Sequence, residues 1–264
     1  MKKRTESDSI GSLEVDEDAY YGVQSLRAKN NFPITGRHVL SEFDRNLALI
    51  KKACAQTNMQ AGLLSKKKAD AIISASEEVI NGKLDDQFIT DPIQGGAGTS
   101  LNMNMNEVIA NRANEILGGR RGVYDLVHPN DDVNMAQSTN DVIPTAGKMT
   151  SLVLLDGLFA QLECLHSSLL SKAVDFRKVL KMGRTQLQDA VPMTLGNTFE
   201  SYATMVERCL ERIKETSKEL TIVNLGGTAI GSKINASGYY EEHIVDNLSS
   251  LFGKKLKQAD DLLD

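Results

Sequence analysis

The sequence predicts a mainly α-helical protein, in which a small helical N-terminal domain is followed by the first long helices of an elongated helix bundle. The composition favours helices, because the 264 residues include only five prolines and 5% aromatic residues. Two long segments, at about 148–173 and 199–223, carry apolar residues alternately three and four positions apart. This spacing is typical of long helices that pack at a shallow angle in a bundle. We therefore expect a helical N-terminal domain over 1–139 and an incomplete bundle domain over 140–264.

Local signals mark the shorter elements in order along the chain. Residues 1–37 have no strong period, and we expect EDAYYGVQSLRAKNNFPITG, residues 17–36, to be an extended lead-in with turns. Ser41 is suited to be the N-cap of a first helix, and a second helix is expected to follow Ser65 and to end near Gly82. A loop with proline and glycines then precedes the next helix. A later helix is expected within GYYEEHIVDNLSSLFG, residues 238–253.

Charge and cysteine content narrow the class of protein. The net charge of -5 argues against a nucleic-acid partner, because such a partner favours a basic surface. The N-terminal stretch MKKRTESDSIG has no apolar core of a signal peptide, and no apolar run reaches membrane-spanning length, so we expect no membrane partner. Cys54, Cys164 and Cys209 lie far apart, which indicates reduced thiols and a cytoplasmic location.

Three segments are too polar and too rich in glycine for a core, and the first is GGAGTSLNMNMNEVIANR at 95–112. Its glycines allow the backbone to come close to a ligand, and the N-terminus of the following helix attracts carboxylates or phosphates. Thr99 adds a hydroxyl donor without adding charge. The alternative interpretation is a glycine loop capped by Thr99. The three asparagines at alternate positions cannot share one face of a helix, so at least one must have a polar partner elsewhere.

The second polar segment is HPNDDVNMAQSTNDVIPT at 128–145. Ser138, Thr139 and Asn140 form a run of short hydrogen-bonding side chains before a long helix, and Asp141 follows them. The alternative interpretation is a cluster of N-cap residues, for which these residue types are favoured. One helix needs only one cap, however, and the excess of candidates indicates a ligand site.

The third polar segment is KMGRTQLQDAVPMTLG at 181–196, which we expect to be a connector between helices. Its Arg184, Thr185 and Gln186 offer charge and hydrogen bonds, although a solvated loop also tolerates them. All three segments share hydroxyl and amide donors, which suit a small dianion held in an uncharged pocket. They contain no His/Cys/Asp/Glu cluster with metal-ligand spacing and no Ser/His/Asp triad, so we predict no metal site.

The order of these motifs resembles that of the aspartase/fumarase superfamily. The resemblance rests on GTSLNMNMNE, QSTND and KMGRTQLQDAVPMTLG, together with TESDSIGSLEVDEDAYYGVQSLRA near the N-terminus. Within the superfamily the chain is most similar to the aspartate ammonia-lyases. Ala97 stands where fumarases usually place serine, and Gln186 stands where they have histidine, whereas VHPND is more similar to fumarases. A class II fumarase, or a non-catalytic helical scaffold paralogue, is the alternative.

The resemblance implies a reversible anti elimination of ammonia from L-aspartate to give fumarate, in a homotetramer that uses no cofactor. It implies that Thr99, Ser138 and Thr139 bind the β-carboxylate of the substrate. It assigns the amino group to Asn140 together with Thr99 and Gln186. Thr185 would contact the α-carboxylate, across a subunit boundary.

One part of the family pattern is missing from these 264 residues. The base in this family is a serine within a GSSxMPxKxN pattern, and the sequence contains no such segment. We therefore expect no catalytic base in this chain and no lyase activity from the chain by itself. The base serine is expected beyond residue 264.

Overall fold

The computed structural model describes residues 2–263 as a mainly α-helical chain, which confirms the predicted fold class. The helices are α1 (Val23–Asn31), α2 (Ser41–Gln60), α3 (Lys66–Ile80), α4 (Thr99–Ile116), α5 (Thr139–Asp175), α6 (Leu195–Thr216) and α7 (Gly238–Phe252). The strands are β1 (Lys3–Asp8), β2 (Gly11–Asp16), β3 (Leu180–Thr185), β4 (Gln188–Thr194), β5 (Ile222–Val223) and β6 (Lys257–Gln258). They pair as β1–β2, β3–β4 and β5–β6, and a π-helical turn, Pro129–Val133, precedes α5.

The chain forms two compact units. One unit contains the residues up to Thr150 together with those from Thr221 onward, and the other is Ser151–Leu220. This division differs from a boundary between residues 139 and 140, because α7 packs against α2 in the first unit. The predicted domain boundary itself stays a prediction.

Helix α2 lies at the centre of the first unit, where it packs against α3, α4 and α7. Apolar side chains at helical spacing form these contacts, and burying each one stabilises the unit by about 1.5–3 kcal/mol. Large side chains that are fully buried in this core include Leu47, Ile50, Ile72, Met105, Ile109, Tyr240, Ile244 and Leu248. This packing positions the starts of α4 and α5, which carry the first two polar segments.

The predicted starts of α2 and α3 are close to those observed. Ser65 is the N-cap of α3, and its hydroxyl accepts a hydrogen bond from the N–H of Lys68. Ser41 is instead the first residue of α2, and Leu40 occupies the N-cap position, so the prediction of Ser41 as the cap is wrong. The predicted helix near the C-terminal end is confirmed as α7, which Ser237 caps.

The prediction of an extended lead-in at residues 17–36 is wrong, because a helix forms within it. Strands β1 and β2 form an antiparallel hairpin, and α1 follows it. The N-terminus of α1 has no cap from its own segment, and the buried Glu107 of α4 supplies one instead. Its carboxylate accepts hydrogen bonds from the N–H groups of Gly22 (2.9 Å), Gln24 (2.9 Å) and Ser25 (3.0 Å). Helix α1 therefore depends on a tertiary contact that no local pattern reveals.

The second unit contains the end of α5, the β3–β4 hairpin and α6. Residues 181–196 are predicted as a connector but form most of this hairpin, because Gln186 and Leu187 both adopt positive φ in a two-residue turn. An apolar groove of about 640 Å³ lies between α5 and α6, lined by Leu154, Leu155, Leu158, Ile213 and Leu220 among others. The unit thus exposes apolar side chains along helices that the sequence predicts to be bundle helices.

Helix α5 is also long and apolar enough to cross a membrane when judged by length and composition alone. Only 33% of its most apolar window is buried. The core helix of a globular protein can meet the same criteria of length and composition. The expectation that no apolar run reaches membrane-spanning length is therefore wrong for α5. The expectation of no membrane partner stays a prediction.

The contact between Glu107 and α1 leads to a first prediction. Glu107→Gln replaces one acceptor oxygen with an NH₂ group that faces backbone donors, which leaves buried N–H groups unpaired. We expect a loss of about 2–3 kcal/mol in the free energy of unfolding, and faster amide exchange at Gln24, or at Gly22 and Ser25, depending on which oxygen is replaced. Urea unfolding and amide exchange measure both. The control is Glu77→Gln, which changes an exposed ion pair. Unchanged protection of α1 would contradict the prediction.

A second prediction concerns Asp44 in the first turn of α2, which is 8% exposed. Burial, with a smaller contribution from the charge of Asp85, raises the pKa of Asp44 from 3.8 to about 7. A raised pKa makes the carboxyl costly to ionise, so the stability present below pH 4 is lost as the pH rises through about 7.

Asp44→Asn should therefore stabilise the protein at pH 8 by up to about 4 kcal/mol and change little at pH 4. Melting temperatures at the two pH values test this, with the exposed Asp70→Asn as the control. Equal shifts for Asp44→Asn at both pH values would show that ionisation of this carboxyl has no cost.

Candidate functional site

The first turns of α4 and α5 lie side by side in the first unit. Gly98 precedes α4 with φ +92°, and a Cβ at this position would lie 2.8 Å from the Cγ2 atom of Ile143 in α5. Only glycine allows both this backbone conformation and this close approach. Two helix N-termini are thereby adjacent, and their positive dipole ends favour a bound anion.

Thr99 is the first residue of α4, and its side chain is exposed. Within residues 2–263 its hydroxyl has no hydrogen-bond partner, so it is available to a ligand. The three asparagines that follow are all buried. Asn104 accepts from the N–H of Ile89 (2.9 Å) and donates to the carbonyl of Gln87 (3.0 Å). The prediction that at least one of these asparagines has a polar partner elsewhere is confirmed.

Ser138 and Asp141 form a reciprocal cap at the start of α5. The Ser138 hydroxyl accepts from the N–H of Asn140 (3.3 Å), and the Asp141 carboxylate accepts from the N–H of Ser138 (2.8 Å). The cap interpretation therefore holds for these two residues. It does not account for Thr139 or for the side chain of Asn140, which makes contacts of a different kind.

Thr139 and Asn140 are joined to other segments of the first unit. The hydroxyl of Thr139 accepts from the side-chain amide of Asn102 in α4 (3.3 Å). The Asn140 amide donates to the carbonyl of Ala229 (2.7 Å), and the Asn224 amide donates to the carbonyl of Asn140 (3.1 Å). The segment 224–229 is thus attached to the start of α5, which the sequence did not predict.

Asp141 also holds the backbone of this segment. Its second oxygen accepts from the N–H groups of Gly226 (3.2 Å) and Thr228 (3.0 Å). Thr228 has φ +59°, which is strained for a β-branched residue and is kept by this contact. Burial raises the pKa of Asp141 to about 6, while its backbone donors oppose the shift. Ser138 and Thr228 both line a cavity of about 660 Å³.

A lysine that sequence reasoning missed lies below the two helix starts. The ammonium of Lys51 is fully buried and donates to Asn102 Oδ1 (2.7 Å), Asn134 Oδ1 (2.9 Å) and Gln137 Oε1 (2.9 Å). Burial lowers its pKa to about 7. The sequence carried a signal, because Lys51 lies between Leu47 and Cys54 on the apolar face of α2.

Thr185 and Gln186 belong to the second unit, where they lie at the tip of the β3–β4 hairpin and are exposed. Next to them, Arg184 forms an ion pair with Asp189 across the hairpin (2.9 Å). The roles that the resemblance implies for these two residues stay predictions. Among residues 2–263, no three His, Cys, Asp or Glu side chains come together as a metal site would require.

Comparison with known proteins gives a consistent result. The sequence profile of the lyase family matches residues 11–264. Aspartate ammonia-lyase of Pseudomonas aeruginosa is 51% identical to this chain, over 99% of the chain and 56% of that protein. Fumarate hydratase class II of Halobacterium salinarum is 47% identical, over 97% of this chain and 55% of that protein. The structure of a fumarate lyase:delta crystallin from Brucella melitensis matches with a TM-score of 0.96 and 46% identity, over 99% of this chain and 57% of that one.

The helical fold matches that of the fumarate lyase structure, and the lyase profile covers nearly the whole chain. This chain belongs to the lyase family, and its predicted resemblance to the aspartase/fumarase superfamily is confirmed. The chain spans about half the length of the curated relatives that it matches.

The three backbone contacts of Asp141 lead to a third prediction. In Asp141→Asn, only one side-chain oxygen remains as an acceptor. Either the N–H of Ser138 or the N–H groups of Gly226 and Thr228 therefore lose their partner. We expect amide exchange at Ser138, or at Gly226 and Thr228, to become roughly ten- to hundredfold faster. Amide exchange measured by NMR tests this, with the exposed Asp246→Asn as the control. Unchanged exchange at all three amides would show that Asp141 does not hold the segment.

Proposed function

We propose that the protein is an aspartate ammonia-lyase, which eliminates ammonia from L-aspartate to give fumarate and also catalyses the reverse reaction. The lyase family is established by the comparisons, and the particular reaction is the proposal. Among the relatives, the similarity to aspartate ammonia-lyases over 99% of the chain supports it. The observation that carries the proposal is the direction of the hydrogen bonds around Ser138, Thr139 and Asn140.

The hydroxyls of Ser138 and Thr139 are oriented as hydrogen-bond donors toward a ligand. Ser138 and Thr139 each accept a hydrogen bond from the protein, and each keeps its own proton available. Asn140 is set in the opposite sense, because its NH₂ group donates to Ala229 and leaves its Oδ1 atom as an acceptor. Hydroxyl donors suit a carboxylate, and an amide oxygen suits an amino group. A β-carboxylate and an amino group on adjacent carbons are what L-aspartate presents.

The donors act on charge that develops during the reaction. Removal of the C3 proton places negative charge on the β-carboxylate as an aci-carboxylate, which then forms the C2–C3 double bond as the C–N bond breaks and ammonia leaves. Thr99, Ser138 and Thr139 stabilise this charge, and a single such donor is typically worth about 3–4 kcal/mol of the barrier. Asn140, with Thr99 and Gln186, holds the amino group, and Thr185 contacts the α-carboxylate from another subunit. Uncharged donors favour the intermediate, because a fixed cation would bind the substrate almost as strongly.

The proposed base is the serine of a GSSxMPxKxN segment, which these 264 residues do not contain. Turnover therefore requires that segment, and the chain of 264 residues alone is inactive. We also propose a homo-oligomer, a tetramer by resemblance. The exposed apolar groove of the second unit supports association, because such surfaces are normally covered by a partner.

Class II fumarase is the second candidate, favoured by the VHPND segment and by the similarity to the Halobacterium salinarum enzyme. The two reactions share the dicarboxylate and differ in the group eliminated, which is ammonia from L-aspartate and water from L-malate. Asn140 Oδ1 can accept from either group, so the choice between them needs a measurement.

The test is fumarate release, followed by ultraviolet absorbance, from L-aspartate and from L-malate. The complete gene product and the 264-residue chain are compared side by side. We expect release from L-aspartate by the complete product and none by the chain alone. Turnover by the chain alone would contradict the proposed base. Release only from L-malate would identify a fumarase. No release from either substrate by a folded protein would favour a non-catalytic protein.

Substitution then tests the site. Thr139→Val should lower kcat/KM for L-aspartate by about 10²–10³, because one donor to the developing charge is lost. Ser168→Ala, which removes an exposed hydroxyl in the second unit, serves as the control. A Thr139→Val enzyme with unchanged kcat/KM would exclude this hydroxyl from the site.

A further inference from the structure

The contacts of Lys51 set the direction of three side-chain amides. Its nitrogen has three oxygen acceptors, from Asn102, Asn134 and Gln137, a set that matches the three donors of an ammonium. Each of these amides must turn its oxygen toward Lys51. No carboxylate contacts the ammonium within residues 2–263, so its charge is balanced only by neutral dipoles and by the more distant Asp141.

The orientation of Asn102 determines what Thr139 can do. With Oδ1 held by Lys51, the Nδ2 group of Asn102 points toward Thr139 Oγ1 (3.3 Å) and Asn134 Oδ1 (3.2 Å). An NH₂ group only donates, so the Thr139 oxygen must accept and its proton must point elsewhere. If the amide were reversed, Thr139 would donate to Asn102 and would present only lone pairs to a ligand.

We propose that Lys51 is a positioning residue, which fixes the amide of Asn102 so that the Thr139 hydroxyl presents a proton to a bound carboxylate. Lys51 itself touches no ligand in this role. The proposal rests on the proposed function for the identity of the ligand, and its hydrogen-bond geometry is independent of that function. It predicts that Lys51 and Thr139 act as one unit.

The adjacent lysine provides a matched control. Lys52 lies on the same helix and pairs with Glu77 of α3 (2.8 Å), away from this network. Lys51→Met and Lys52→Met remove the same charge from neighbouring positions. Asn102→Asp is the second variant, because it keeps Lys51 paired but turns the group facing Thr139 into an acceptor. It tests the direction of the hydrogen bond if Lys51→Met folds poorly.

The first experiment is a double-mutant cycle on kcat/KM of the complete gene product with L-aspartate. We expect Lys51→Met and Asn102→Asp each to lower kcat/KM at least tenfold, and Lys52→Met to change it less than twofold. In a Thr139→Val background, either substitution should cause less than a twofold further loss. Independent losses in the double variants would overturn the proposal, because Lys51 would then act through its charge and not through Thr139.

The second experiment needs no turnover. In NMR spectra, the side-chain amide protons of Asn102 should show a nuclear Overhauser effect to the Thr139 methyl group. We expect this signal in the unsubstituted protein and in Lys52→Met, and its loss in Lys51→Met. A signal retained in folded Lys51→Met overturns the proposal. If the gene product shows no lyase activity, the proposed function fails, and this spectrum alone decides the role of Lys51.

Discussion

The apposition of the α4 and α5 N-termini above a buried ammonium is the constraint on which the rest of the site depends. Two positive dipole ends and the charge of Lys51 occupy one small volume, and this arrangement is costly unless acceptors surround it. The chain supplies mostly neutral acceptors, namely the amide oxygens of Asn102, Asn134 and Gln137. Asp141 supplies a single carboxylate, which is occupied by backbone N–H groups. The positive potential that remains suits a dianion.

The elements defined by local signals could be predicted from the sequence. Helix α3 has its cap at Ser65, and the segments that form α5 and α6 carry a long apolar repeat. The existence and the approximate start of each of these three helices therefore follow from the residues. The polar run at Ser138 and Thr139 also identified the start of α5 as a candidate site. In each case the information lies within a few positions of the element that it defines.

The features that escaped prediction depend on distant contacts. Helix α1 is capped by Glu107, and the 224–229 segment is held by Asp141, so neither has a local signature. The β3–β4 turn uses Gln186 and Leu187 at positive φ, a conformation usually given to glycine or asparagine. Lys51 was recognisable as a charge on an apolar face. Its role depends on the amide groups of α4 and of the turn before α5, which only the folded chain brings together.

The capping of α1 by α4 has a consequence for the order in which the chain can fold. The contacting residues Gly22 and Glu107 are 85 positions apart, and α1 itself has only nine residues. A helix this short is unstable in isolation, so α1 forms only after α4 has been synthesised and has packed against the core. During translation α1 therefore cannot become stable until the chain has been made at least as far as Glu107. Such a long loop closure slows folding, so the ordering of α1 is tied to the packing of α4 and not to its own sequence.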